Sequence, residues 1–185
     1  FGSFCSGGYG ASSECILSVQ EKEGILDSMR QLLEECDWIQ GVQCFSDFHG
    51  GWPGLANEIM REANEECKNL YSACFATDTK HNPIASNVAN AVNAALASAS
   101  CSENFSLVCP ISEQAVIKMC GAFEHISLEG ESKYHTSALV SSLLDISTSP
   151  LRFGSSSLRK SMGAWITKIV DPGGNMDSSR SFVIP

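Results

Sequence analysis

Basic residues are few in this sequence, and it has no long hydrophobic run. The 12 Lys and Arg stand against 21 Asp and Glu, which gives a formal net charge of -9. A surface that binds nucleic acid or an anionic membrane needs clustered Lys and Arg, whereas the basic residues here are scattered. No apolar run approaches the roughly 20 residues that span a bilayer. The sequence therefore predicts no nucleic-acid partner and no transmembrane helix.

Metal-binding cysteine motifs are also missing. The nine cysteines include no Cys-x-x-Cys pair, and the four histidines have no ligand spacing to a cysteine pair. An odd number of cysteines that lie mostly in apolar stretches, such as Cys44 and Cys74, is typical of buried, reduced thiols in a cytosolic protein. We expect no zinc site, and we expect Cys44 to be buried and unreactive.

The amino-terminal residues show neither a helical nor a strand period. The chain begins with Phe1 rather than Met, and residues 1–13 are rich in Gly and Ser. At 185 residues, it is long enough for one domain with a sizeable core or for part of a larger one. We expect a piece of a longer chain.

Hydrophobic periodicity predicts alternating helices and strands in the first half of the chain. Apolar residues at 24–36 recur at helical spacing. The short apolar run at 41–45 is typical of a strand buried on both faces. A helix is predicted to begin at Pro53, and a second strand to cover 70–76.

The same alternation continues to the end of the chain. It predicts a helix from 134 to 146 that ends before Pro150. The other predicted elements are helices at 84–98, 112–121 and 157–167 and strands at 105–109 and 182–184. This order implies an α/β fold, a parallel sheet with helices on both faces.

The loop that follows the first predicted strand carries the clearest sign of a ligand site. It lies at the carboxyl end of a strand, where parallel sheets bind ligands, and it opens a helix. The first N–H groups of a helix have no intrahelical partner and attract anions. Gly50, Gly51 and Gly54 let a phosphate approach them closely.

Other residues of this loop argue against a bound phosphate. Trp52 places an indole where the phosphate would approach, Pro53 has no N–H, and Asp47 adds a negative charge. These residues favour the alternative of a simple strand-to-helix turn. A general-base pair of Asp47 and His49 is a weaker alternative, because such spacings are common by chance. A Cys44 thiol nucleophile is also weaker, because Cys44 lies in an apolar strand and should be buried and inert.

Three blocks of sequence carry a family resemblance. They read Ser-Asp-Phe-His-Gly-Gly-Trp-Pro-Gly at 46–54, Ser-Leu-Val-Cys-Pro-Ile-Ser at 106–112, and Tyr-His-Thr-Ser-Ala-Leu-Val at 134–140. Together they resemble the misato family of tubulin-like proteins, within the tubulin and FtsZ superfamily. The resemblance implies a tubulin-like fold whose amino-terminal part is missing. Residues 1–130 would be the C-terminal part of its nucleotide-binding-type domain, and 131–185 the start of a second subdomain.

The resemblance also implies a degenerate nucleotide site. In tubulins the matching loop is a run of glycines, broken by Thr and Ser, that cradles phosphates, and an Asn of a later helix contacts the guanine. The positions that remain here are Ser46, Gly50, Gly51, Gly54 and Asn93. The hydroxyl donors of the tubulin loop are lost.

Two further positions depart from the tubulin pattern. A second base-contacting Asn corresponds to Glu113, which cannot donate as an amide does when it is ionised. The acid that one tubulin subunit supplies to its neighbour's nucleotide falls near Lys160, and an amine cannot polarise a water as a carboxylate does. We expect no catalytic residue, no metal and no resident cofactor, with GTP at most a weak ligand.

The resemblance implies a non-enzymatic scaffold involved in mitochondrial distribution and morphology. The expected partners are proteins, with tubulin and the cytosolic chaperonin as candidates. The expected location is cytoplasmic, with peripheral association with the mitochondrial outer membrane. The alternative is a divergent tubulin-like GTPase that binds GTP and self-associates, which the remaining glycines and Asn93 favour.

Overall fold

A computed structural model describes residues 19–48, 52–78, 87–120, 129, 132–152, 160–170 and 182–183 of the chain. In chain order the elements are α1 (Val19–Glu34), β1 (Val42–Asp47), α2 (Trp52–Glu66), β2 (Ser72–Asp78), α3 (Asn87–Asn104), β3 (Leu107–Ser112), α4 (Glu113–Cys120), α5 (Lys133–Arg152), α6 (Met162–Val170) and β4 (Phe182–Val183).

The strands form a single parallel sheet in the order β1-β2-β3-β4. Cys44 of β1 lies opposite Cys74 of β2, and Cys74 lies opposite Val108 of β3. Helices α2 and α3 make the crossovers from β1 to β2 and from β2 to β3 that parallel neighbours require. The sheet places the carboxyl ends of β1, β2 and β3 at one edge.

One face of the sheet packs against α2 and α3. Successive residues of a strand point to opposite faces, so Cys74 and Ala76 share this face. They are buried with Val108 of β3, Met60 and Ala63 of α2, Cys101 of α3 and Phe105.

The other face packs against α6. Met162, Trp165 and Ile166 of α6 are buried with Ala73, Phe75 and Leu107 of the strands. The Trp165 ring lies 6.3 Å from the Phe75 ring, and its Nε1 donates to the carbonyl oxygen of Ser147 in α5 at 2.9 Å. Helices thus cover both faces of a parallel sheet, and the predicted α/β fold class is confirmed.

Strand β1 differs from its prediction. Burial on both faces was expected, but Gln43 and Phe45 are exposed, and Phe45 keeps 61% of its surface in contact with solvent. The reason is position, since β1 is the first strand of the sheet order and has a strand neighbour on one side only among the described residues. The Phe45 ring stacks on Phe75 at 5.3 Å and leaves its other face open.

The predicted stop at Pro150 was wrong, because α5 continues through it to Arg152. Pro150 has no N–H for the Ile146 carbonyl, but the Ser149 hydroxyl donates to that oxygen at 2.7 Å. Arg152 in turn donates to the Asp145 carbonyl at 2.8 Å. The Ser149 side chain thus replaces the donor that the proline lacks.

Several helix boundaries also differ from their predictions, and α1 spans Val19–Glu34 instead of 24–36. Helix α3 runs to Asn104, beyond the predicted end at residue 98. Helix α6 starts at Met162 instead of residue 157, because the Ser161 hydroxyl accepts a hydrogen bond from the Ala164 N–H at 3.3 Å and caps the helix there. Residues 84–86 and 157–159 lie outside the described residues. The division at residue 130 stays a prediction, although β4 joins the same sheet as β1 to β3.

Candidate functional site

An open groove of about 500 Å³ lies at the carboxyl end of β1, beside the start of α2. This is the position that the sequence predicted for a ligand site. Its lining comes from β1, α2 and the end of β2: Cys44, Phe45, Ser46, Asp47, Trp52, Leu55, Ala56, Ile59 and Thr77.

Hydrogen bonds to the backbone hold the strand ends that form the groove wall. The Ser46 hydroxyl donates to the Asp47 carbonyl oxygen at 3.0 Å, and the Thr77 hydroxyl donates to the Ser46 carbonyl oxygen at 3.3 Å. The backbone N–H of Phe48 donates to the Thr77 carbonyl oxygen at 3.0 Å. The hydroxyl of Ser46, a predicted site residue, is therefore engaged with the backbone.

The start of α2 presents an aromatic surface to the groove. Trp52 is 63% exposed and lines the groove, whereas Pro53 and Gly54 behind it are buried. Pro53 at the first turn suits the helix, because the N–H that it lacks has no intrahelical partner there. Gly50 and Gly51, the other predicted site glycines, lie outside the described residues.

The remaining predicted positions do not line this groove. Asn93 lies in α3 with only 2% of its surface exposed. Glu113 is the first residue of α4, and Lys160 is half-buried before α6, where its backbone N–H donates to the Pro150 carbonyl oxygen at 2.9 Å. Of the predicted site residues that the structure describes, the groove lining contains Ser46 alone, and the role of all of them in nucleotide binding stays a prediction.

The charge of the groove lining is negative. Asp47 is the one charged residue among the nine described residues that line it. Five of the others, Phe45, Trp52, Leu55, Ala56 and Ile59, have apolar or largely apolar side chains. A surface of this kind is suited to apolar and aromatic groups of a protein partner and poorly suited to a polyanion.

A row of three thiols lies behind the groove wall. Cys44 and Cys74 are register partners in β1 and β2, and Cys44 packs against the buried cluster that contains Cys74 and Cys101. The neighbouring Cys74 thiol lowers the pKa of Cys44 and that of Cys101, whereas the neighbouring thiols of Cys101 and Cys44, together with burial, raise the pKa of Cys74.

The expectation that Cys44 is buried was wrong. Cys44 is only partly buried and lines the groove, because β1 is an edge strand among the described residues. The sequence analysis did not predict the row of three thiols, because the three cysteines come from three different elements, β1, β2 and α3. The available signal was that Cys44 and Cys74 both lie in the middle of predicted strands that are neighbours in chain order.

No group of three or more His, Cys, Asp or Glu within the described residues is placed to hold a metal ion. None of the helices within the same ranges combines the length and the apolar character that crossing a membrane requires.

Comparison with known proteins gives a consistent family relationship. Residues 8–153 match the model of the tubulin domain family. The chain is 24% identical over 155 residues to protein misato homolog 1 of Homo sapiens, an alignment that covers 80% of this chain and 27% of that protein. It is 28% identical over 156 residues to protein misato of Drosophila melanogaster, covering 77% of this chain and 27% of that protein. The chain thus spans about a quarter of the length of these relatives.

Proposed function

Because the chain belongs to the tubulin domain family and to its misato branch, we propose that it is part of a non-enzymatic, tubulin-like scaffold involved in mitochondrial distribution and morphology. The observation that carries the non-enzymatic part is the groove at the carboxyl end of β1, where an exposed Trp52 and the Asp47 carboxylate stand in place of phosphate-binding groups. The mitochondrial part rests on the family resemblance.

Electrostatics weighs against a nucleotide in this groove. Two like unit charges 4 Å apart repel by about 4 kcal/mol at an effective dielectric constant near 20. One helix-terminal N–H bonded to a charged group returns about 1.5–3 kcal/mol, and Pro53 removes one such donor. A phosphate would thus meet an acidic residue at Asp47 and one helix-terminal donor fewer at Pro53.

The groove supports a protein partner in place of a nucleotide. Exposed aromatic side chains are enriched at protein interfaces, and Trp52 and Phe45 are both more than half exposed beside it. The proposed partners are tubulin and the cytosolic chaperonin. The proposed location is the cytoplasm, with peripheral association at the mitochondrial outer surface.

Nucleotide binding by the full-length parent protein tests the non-enzymatic part. Calorimetry with GTP and GDP in excess Mg²⁺ should show no binding, and denaturation of the purified protein should release no guanine nucleotide. Micromolar binding, or a retained nucleotide, would support the alternative of a divergent GTPase. In that case the variant that combines Trp52→Gly with Pro53→Thr should bind GTP more tightly, because it restores space and a donor.

Crosslinking to purified tubulin and purified chaperonin tests the scaffold part. Trp52→Ala should reduce crosslinking to the partner, because an aromatic anchor at an interface often accounts for 2 kcal/mol or more of the binding free energy, which is about thirtyfold in affinity. Trp38→Ala is the matched control, since Trp38 is 85% exposed and is not part of the groove lining. Equal crosslinking by both variants and the unsubstituted protein would exclude the groove as the contact surface.

A further inference from the structure

Cys44 and Cys74 are placed for a bond between neighbouring strands. They are register partners in the parallel pair of β1 and β2, so both side chains leave the same face of the sheet. Neighbouring strands lie about 4.7–4.9 Å apart, and Cα atoms joined by a disulfide are usually about 4.4–6.8 Å apart. The spacing of neighbouring strands therefore lies within the range of Cα separations that a disulfide spans.

Access to the three thiols is unequal. Cys44 lines the open groove, whereas Cys74 and Cys101 are 1% and 2% exposed in the core beneath it. A small reagent in the groove reaches Cys44 first, and Cys74 is reached through Cys44. Exposure of one thiol next to a buried second thiol is the usual arrangement of cysteines that respond to oxidants.

The local chemistry makes Cys44 the more nucleophilic of the pair. The neighbouring Cys74 thiol lowers the pKa of Cys44, although partial burial opposes this effect. The thiolate is the reactive form of cysteine. Cys74, whose pKa is raised, keeps its proton until a neighbouring sulfur becomes electrophilic.

We propose that Cys44 and Cys74 form a peroxide-sensitive dithiol, in which Cys44 is oxidised first and Cys74 resolves it. The Cys44 thiolate attacks one oxygen of a hydroperoxide, the O–O bond breaks, and Cys44 becomes a sulfenic acid while an alcohol or water leaves. The Cys74 sulfur then attacks the Cys44 sulfur, and the sulfenic hydroxyl leaves with the Cys74 proton as a second water. The two thiols together lose two electrons, and one hydroperoxide accepts them.

The modification would change the groove that we propose as a contact surface. The disulfide removes the Cys44 thiol from the groove wall and links β1 covalently to β2. The dithiol does not depend on the scaffold proposal, because it requires only the sheet register and the access described above. A nucleotide-binding result therefore leaves it unchanged.

A disulfide map of the full-length protein tests the proposal directly. The reduced protein is treated with hydrogen peroxide below one equivalent per thiol, free thiols are alkylated, and tryptic peptides are analysed by mass spectrometry. We expect a linked pair of peptides, residues 31–61 and 69–80, which contain Cys44 and Cys74. Because the first peptide also contains Cys36, the Cys36→Ser variant is the matched control and should give the same linked pair.

Trapping of the intermediate tests the order of events. In Cys74→Ala the sulfenic acid on Cys44 has no resolving thiol, so dimedone should label Cys44 several-fold more than in the unsubstituted protein. In Cys101→Ala the link between Cys44 and Cys74 should persist. Circular dichroism establishes that each variant is folded, and the map of the unsubstituted protein requires no variant.

Three results would overturn the proposal. One is oxidation of other cysteines while Cys44 and Cys74 stay alkylatable. A second is loss of the linked peptides in Cys36→Ser, which would place the bond on Cys36. The third is a disulfide between Cys74 and Cys101 that forms in Cys44→Ser as readily as any bond in the unsubstituted protein.

Discussion

Leu107 illustrates how much single buried side chains contribute to this fold. It is fully buried in β3 against α6, where it packs with Phe75 and Trp165. A leucine of the same size at the surface, Leu32 in α1, is 63% exposed. Substituting alanine for leucine at both positions makes the same chemical change in a buried and in an exposed site. The difference in the free energy of unfolding therefore reports the effect of packing.

Leu107→Ala should lower the free energy of unfolding by about 2–5 kcal/mol, because it removes buried methyl groups and leaves a cavity. Leu32→Ala should change it by no more than about 0.5 kcal/mol. Urea denaturation followed by circular dichroism measures both. Equal effects of the two substitutions would contradict the burial of β3.

Cys109 predicts a loss of stability at alkaline pH. Burial raises the pKa of this thiol from 9.0 to about 11. Between these values the unfolded chain has released the proton and the folded chain has kept it, so stability falls as the pH rises. The loss is at most about 1.4 kcal/mol per pH unit for one group. Cys109→Ala should show a shallower decrease across the same window, measured by urea denaturation.

Residue types predicted the location of the groove, but not its chemistry. The glycines and Trp52 indicated a loop at the carboxyl end of β1, and the structure places the groove there. Asn93 could not be placed from its helical position alone, since its 2% exposure depends on what packs around α3. The contact between Cys44 and Cys74 depends on strand register, which local sequence does not state.

Among the elements, α5 shows how a helix accommodates a proline in its last turn. The helix ends at Arg152, and Pro150 lies within that turn. Ser149 donates its hydroxyl to the Ile146 carbonyl that the proline leaves without a backbone donor. Ser142 makes a similar bond to the Ala138 carbonyl at 2.8 Å, but that carbonyl lies in regular helix. The two serines form a matched pair.

Ser149→Ala should lower the free energy of unfolding by about 0.5–1.5 kcal/mol, the usual net contribution of one hydrogen bond. Ser142→Ala should be neutral or slightly stabilising, because alanine is the better helix former. In a Pro150→Ala background the cost of Ser149→Ala should disappear, since the backbone N–H returns. A cost that persists there, measured by thermal or urea unfolding, would show that Ser149 acts in another way.

At the scale of the whole molecule, one close approach joins the start of the sheet to α6. Gly41 precedes β1 with a positive φ of 151°, a conformation that L residues rarely adopt. A Cβ atom at this position would lie 2.3 Å from the Met162 Sδ and 2.5 Å from the Tyr71 carbonyl oxygen. The first residue of α6 and the residue before β2 therefore meet where only glycine fits.

Gly41→Ala should lower the free energy of unfolding by about 1–3 kcal/mol or more, because strain and overpacking act together. Gly24→Ala is the matched control, since a Cβ there meets nothing within 4 Å and the residue lies inside α1. That substitution should stabilise the protein by about 0.5–1 kcal/mol. Opposite signs in chemical denaturation are the expected outcome, and a neutral Gly41→Ala would contradict the contact with α6.

The sequence by itself determined the α/β class, the order of helices and strands, the parallel sheet and the place of the groove. These follow from hydrophobic periodicity and turn residues, which are local properties of the chain. Only the tertiary structure decided that Phe45 is exposed, that α5 passes through Pro150, that Gly41 meets α6, and that three thiols from β1, β2 and α3 form a row. The physical reason is that each of these depends on which elements are neighbours in space, and periodicity along the chain indicates only which face of an element is apolar.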